Sequence, residues 1–256
     1  MRLSFFRRTI PVAAFLLLIG GVTRAQSASE LTAEGDAFDL KFNGTEALKF
    51  YLPAEKLEPA NAPLLTRISR QYRYLMSDAG KKTEKLRLGG IAIDYAKRAA
   101  AAGPNDSDAQ LALAIGYGRL QPLASVKEKI ATARIIKMQA EKAIKLDRGN
   151  DLAWHVLGRW HMGYAELTGV KRKMAEMTYG SLPVSTFEEA AKCFEQAAAL
   201  KPERVLNQIE LGEVYARLGR NAEARTVLSK GLALRQTDKD DAEVKARGRE
   251  TLSKLP

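Results

Sequence analysis

One cysteine and two histidines in 256 residues exclude several kinds of chemistry at the outset. Cys193 has no partner for an intramolecular disulfide, so the fold must rest on its apolar core. Beside the landmark aromatic Phe194, it reads as a small buried hydrophobe. His155 and His161 lie about 240° apart around one helix, too far to share a metal, and the i, i+4 spacing of a zinc-binding helix is missing. No strand-like alternation, phosphate loop or nucleophile-base pair stands out, so no cofactor and no enzyme activity are expected. Aromatics make up only 7% of the chain and do not interleave with the basic residues, which argues against a nucleic-acid partner. Only one long hydrophobic run exists, Ile10 to Val22, and it is shorter than the ~20 residues of a membrane-spanning helix.

That run follows Arg7 and Arg8 and ends at Thr23-Arg24-Ala25, with small residues where a signal peptidase reads. Residues 1–25 are therefore expected to be a cleaved signal peptide and the protein to be exported, periplasmic or secreted, with no integral membrane segment left. Cleavage removes Arg2, Arg7, Arg8 and Arg24 and no acidic residue, so the net charge falls from +11 to +7. The intact mass of secreted material should correspond to a chain starting at Gln26. A full-length, membrane-embedded product would contradict this.

Downstream, Trp154, Leu157, Gly158 and His161, then Ala190, Phe194, Ala197 and Pro202, follow the landmarks of a tetratricopeptide repeat: W-x2-L-G-x2-Y, A-x3-F, P. Four such units are read at 62–106, 107–150, 151–204 and 205–238. The first three carry insertions, whereas the fourth, with Leu211-Gly212-x2-Tyr215 and Ala224-x3-Leu228, has standard spacing. Two capping boxes, Ser125 with Glu128 and Thr186 with Glu189, mark where second helices restart. Residues 239–256 read as a capping helix that covers the last apolar face. Residues 26–61, acidic and broken by Gly44, Pro53 and Pro59, read as a leader with one short helix over Thr45 to Leu52. The fold expected is an all-α tetratricopeptide solenoid with a C-terminal capping helix.

The third unit carries a more specific signature. Trp154 to His161, Ala165-Glu166-Leu167, Lys171 to Glu176, Tyr179-Gly180-Ser181-Leu182-Pro183 and Thr186 to Ala190 resemble the regulator of microtubule dynamics family, with a fainter likeness from about Ala62 to Leu234. The resemblance implies a tetratricopeptide domain with elongated helices, no enzyme activity, and roles that in animal members involve microtubules, organelle contact sites and phospholipid binding. The leader would make this an exported, bacterial member.

In a tetratricopeptide array the concave groove is lined by the first helix of each repeat. Projecting that register gives Thr66, Arg70, Arg73 and Tyr74 from the first unit, and Leu111, Ile115 and Arg119 from the second. The third supplies His155, Arg159 and Met162, and the fourth Ile209, Glu213 and Arg217. Such a lining is basic with apolar patches. Arginine forks hold carboxylate or phosphate in bidentate geometry, which suits a peptide carboxylate or an anionic lipid; the alternative is that these arginines pair internally, for instance with Glu166 and Glu176. His155 is placed in the groove as an anion donor or an idle exposed side chain, and His161 in the core. Lys171, Arg172 and Lys173 form a basic patch beside a stripe of Val170, Met174 and Met177. That stripe reads first as a core contact and second as an amphipathic lid or membrane-surface helix. The leading functional expectation is a scaffold that binds a protein or peptide in the groove. An anionic-lipid carrier is the alternative, and the microtubule role implied by the family is more distant.

Overall fold

The computed structural model describes residues 26–256; the expected signal peptide lies outside them. The described residues form twelve α-helices. They stack as antiparallel pairs: α1 (Ala28–Asp39) with α2 (Gly44–Leu57), α3 (Ala62–Asp78) with α4 (Lys82–Ala102), and α5 (Ser107–Leu120) with α6 (Val126–Leu146). Next, α7 (Asp151–Ala165) pairs with α9 (Phe187–Leu200) across the inserted α8 (Gly169–Tyr179), and α10 (Val205–Arg217) pairs with α11 (Asn221–Ala233). The last helix, α12 (Asp241–Ser253), packs on α10 and α11. This is an all-α tetratricopeptide-type solenoid, and the extra residues of the first two units lengthen helices: α4 and α6 are 21 residues each.

The region read as a leader is a further helix pair. Leu31, Gly35 and Phe38 hold the first-helix landmarks, and Ala47, Tyr51, Ala54 and Pro59 hold the second-helix landmarks at standard spacing. Ser27 and Glu30 form a capping box at the start of α1 of the kind recognised at Ser125 and Thr186. Pro53 does not end α2 because it lies on the exposed face, where water can bond the carbonyl that its missing N–H would have served. Tyr51 is fully buried, lies against Gly35, and donates to Asp36 at 2.6 Å.

The same small-against-large contact recurs along the array. A Cβ on Gly158 would stand 2.8 Å from the ring of Phe194, and one on Gly212 would stand 2.5 Å from Leu228. Between repeats, apolar packing is supplemented by buried polar ties. Asp151 accepts from Arg204 at 2.6 Å and from Asn207 at 2.8 Å, pinning the start of α7 to α10.

The capping helix buries Val244 with Val205, Ile209 and Leu228, and Gly248 lets it approach Ile209. Its lead-in segment, residues 234–240, does more than connect. Lys239 bonds Asp78 at the end of α3 at 2.5 Å, across 161 residues of sequence. The array therefore curls until its last element meets its second pair across the concave side.

Candidate functional site

Helices α3, α5 and α7 stand side by side as an inner row, and α10 is tied to α7 through Arg159 and Glu210 at 3.1 Å. The N-cap side chains of Asn61, Asp106 and Asn150 fix the starts of the three inner helices. This aligns the row so that the inner arginines lie close together: Arg73 is repelled by Arg70 and Arg119, and Arg119 by Arg159.

Most of these cations are internally partnered. Arg70 pairs with Asp39 from the end of α1 and Arg119 with Asp240 from the lead-in segment. Arg159 shares the buried Glu210 with Arg247 of α12, at 3.1 and 2.7 Å, and Arg217 pairs with Glu166 at 3.4 Å. Arg73 differs. Among the described residues it makes no ion pair, its Nε is sealed without a hydrogen-bond partner, and the residue as a whole stays partly open. Burial and the repulsion of Arg119 pull its pKa down to about 10, so it remains a cation at neutral pH. Tyr74, beside it, is buried between Phe42, edge-on at 6.4 Å, and the Lys239 ammonium 5.7 Å from the ring centre.

Three positions projected into the groove lie elsewhere. Ile209 is fully buried against α11 and α12, because the capping helix occupies the side of α10 that the next repeat would leave open. Leu111 packs with Ala114, Ile136 and Trp160 in the core, with the half-buried Ile115 at its edge. His155 is buried 5.5 Å from the Phe194 ring, its Nδ1 unpartnered, and burial lowers its pKa to about 4. It is neutral and sealed, not an anion donor.

Met162 packs with Phe194 and Leu211 and helps line an open cleft of about 690 Å³ with Arg159, Glu213, Arg217 and Arg247. Burial, reinforced by Glu210, raises Glu213 to about 7. His161 accepts the packed role: Nδ1 meets Ser185 Oγ at 2.5 Å, with the ring edge-on to Trp160. Burial pushes the Cys193 thiol up to about 11, which leaves it unreactive at neutral pH.

The opposed shifts of His155 and Glu213 give a pH prediction. A depressed histidine stabilises the fold fully above its unfolded pKa, and that contribution is lost as pH falls from about 6.5 toward 4. A raised carboxyl does the reverse: its contribution is present at low pH and lost as pH rises from 4.5 through about 7. Between pH 5 and 7 the two offset one another in the native chain. Glu213→Gln should therefore uncover the histidine contribution, with unfolding free energy falling by about 2 kcal/mol from pH 7 to pH 5 on account of His155, at ~1.4 kcal/mol per pKa unit, and further in the same direction on account of His161, whose pKa burial also lowers. Urea melts of the variant at both pH values check this; a level response would mean that His155 is not sealed.

The basic patch divides. Arg172 turns inward, donating to the carbonyls of Leu182 at 2.6 Å and Pro183 at 3.1 Å and pairing with Glu176. Lys171 and Lys173 remain exposed. The stripe expected in the core faces outward, with Val170 73%, Met174 63% and Met177 88% exposed, because the inward side of α8 is taken by Arg172 and its carbonyl partners.

Sequence reasoning missed Asp238, Lys239, Asp240, Glu210 and Arg247. The Asp238–Asp241 run is visible in the sequence but reads there as a solvated cap, and nothing in a single sequence marks Glu210 as buried. Among the described residues no cluster fit to hold a metal ion occurs, and no helix is long and apolar enough to cross a membrane.

Residues 31–256 match the family described as Regulator of microtubule dynamics protein 1-3. Regulator of microtubule dynamics protein 1 of Mus musculus is 29% identical over 221 residues, covering 85% of this chain and 72% of that protein. The Bos taurus protein is 30% identical over 213 residues, covering 82% of this chain and 66% of its own length. In three dimensions the chain is similar to a thermophilic tetratricopeptide-repeat protein of Thermus thermophilus, with a TM-score of 0.62, 17% identity, and coverage of 89% of this chain and 100% of that one. That likeness speaks to the fold alone. The helix pairing is that of a tetratricopeptide solenoid, and the match over residues 31–256 shows that this chain belongs to the regulator of microtubule dynamics family.

Proposed function

We propose that this chain is a non-enzymatic, exported interaction scaffold that grips a segment of a partner protein along the inner row of α3, α5 and α7. The observation that carries this reading is Arg73, which makes no ion pair among the described residues although the inner arginines around it are paired. A guanidinium fork in a concave, largely desolvated site favours a carboxylate or phosphate acceptor over water.

Arg73→Glu removes that fork, relieving repulsion with Arg70 and Arg119 while setting a carboxylate toward Asp238, and a melting curve checks that the variant is folded. Proteins captured from the exported fraction by the native chain, and equally by Lys145→Glu on the exposed face of α6, should be lost with Arg73→Glu. Retention by all three would contradict the groove. Lys239 and Lys245 are unsuitable as outer-surface controls, since the first pairs with Asp78 and the second donates to the Leu234 carbonyl.

A second reading, binding of an anionic amphiphile, is supported by α8, whose exposed Val170, Met174 and Met177 are flanked by Lys171 and Lys173. Native mass spectrometry separates the two, by a co-purifying lipid or a co-purifying peptide. The microtubule role carried by the relatives' name is a third and weaker proposal, because nothing in the groove is specific to it.

A further inference from the structure

The inner face of α3 is short of hydrogen-bond partners. Thr66, Arg70 and Arg73 follow one another at i, i+4 and i+7 on that face, and Thr66 Oγ1, Arg70 Nε and Arg73 Nε are all sealed without a partner. Buried polar atoms are almost always satisfied, so three in a row on one helix face call for an explanation. The 234–240 segment stands opposite the C-terminal part of this face, at Arg73, Tyr74 and Asp78. Asp240 pairs with Arg119, and Asp238 faces Arg73, Tyr74 and Arg119 closely enough to bias all three electrostatically, yet makes no ion pair.

The hold of this segment is loose by construction. Its contacts with α3 and α5 are made by side chains alone: Lys239 over the Tyr74 ring and two ion pairs whose outer partners, Arg119 and Asp78, keep 40% and 57% of their side chains exposed, where salt and water reach them. Its own backbone bonds run inward: Thr237 N and Asp238 N both donate to Asp241 Oδ2, at 2.7 and 2.8 Å. Among the described residues no backbone bond ties it to α3 or α5. The helix behind it stays anchored through Val244 and Gly248 on α10. Leu234 is held on that same core, so the stretch from Arg235 to Asp240 is the part that can leave the inner face while α12 stays in place.

Resting on the groove reading above, we propose that residues 234–240 are a built-in occupant of the Arg73 site. The ligand that replaces them is an acidic peptide segment of a partner protein, with two carboxylates spaced as Asp238 and Asp240 are. The exchange is like for like. The incoming carboxylates take over Arg119, and they also bond Arg73, which the resident Asp238 faces without an ion pair, and extend along α3 toward Arg70 and Thr66. An acidic peptide fits better than an isolated anion, because the unsatisfied atoms run along the helix and do not converge on one point.

The probe is a labelled synthetic peptide of residues 234–241, followed by fluorescence anisotropy on the full exported chain. The native protein should bind it weakly, because the tethered copy competes at high effective concentration. Asp238→Asn with Asp240→Asn should bind it about tenfold more tightly or better. Asp238→Asn alone, which breaks no ion pair, should move in the same direction. Adding Arg73→Met should abolish the gain, and raising salt should weaken it, with melting curves confirming that each variant is folded. Equal affinity for native and Asn variants, both dependent on Arg73, would overturn the built-in occupant while leaving the groove intact. Binding that ignores Arg73 would overturn both. If the Asn variants ignore the peptide and instead bind vesicles containing phosphatidylserine, the acidic-peptide ligand is wrong.

Discussion

Replacing Gly158 with leucine should lower the unfolding free energy by about 3 kcal/mol or more, the upper range for overpacking a close-packed core. The first added carbon alone would stand 2.8 Å from Phe194 Cε1 and 2.9 Å from Cδ1. The phenyl ring has nowhere to go: it is fully buried with Met162, Leu211 and Val214, and the His155 ring lies 5.5 Å away. The helices α7 and α9 must separate, which also opens the packing of α10. At roughly 2–4 °C per kcal/mol for a chain of this size, the thermal midpoint read by circular dichroism should drop by about 6–12 °C. Gly158→Ala should fall between the two. A leucine variant that melts with the native protein would mean that the helix register around this contact is wrong.

Glu210→Gln should cost about 2–3 kcal/mol. The carboxylate is buried, and while burial alone would raise its pKa, the charges of Arg159 and Arg247 hold it down at about 2. Neutralising it leaves Arg159 without this partner and Arg247 with Glu213 alone, at 3.7 Å. Breaking a fully buried pair typically costs ~3–5 kcal/mol. The cost expected here is lower because Arg159 and Arg247 are 47% and 38% exposed and partly screened. Denaturant unfolding at neutral pH measures it, and the deficit should shrink as pH falls below about 4, where the native chain loses the stability that its depressed carboxylate supplies at higher pH.

The repeat architecture was readable in the sequence wherever consensus side chains sit at standard spacing: Trp154 to Pro202 and Leu211 to Leu228 define their pairs without ambiguity. The first pair was equally readable. Leu31, Gly35, Phe38, Ala47, Tyr51 and Pro59 keep the same spacing, and Ser27 with Glu30 announces the helix. Their acidic surroundings and the interior Pro53 outweighed the pattern, although an exposed proline costs a helix one bond that water can replace.

The groove was only half readable. Projecting a helix register put Arg70, Arg73, Arg119 and Arg159 on one face, because local periodicity decides which face they occupy, and in the structure Arg73 feels Arg70 and Arg119, and Arg119 feels Arg159. It could not place their counter-charges. Asp39, Glu210, Asp240 and Arg247 come from elements that meet the row only once the solenoid has curled, and curvature is a sum of small rotations at each repeat interface. For the same reason Ile209, correct for an unfinished array, became a core residue under α12. The outward stripe of α8 shows the converse: helical periodicity identified one face, and the side that packs was set by Arg172 finding the carbonyls of Leu182 and Pro183.

Selection of random peptides on the immobilised chain tests the central claim most directly, because it asks the inner face what it binds without naming a partner in advance. Peptides carrying two carboxylates at alternate positions should be enriched, more strongly with Asp238→Asn, and the enrichment should be lost with Arg73→Met. Enrichment of uncharged or basic sequences, or acidic enrichment that survives Arg73→Met, would contradict it.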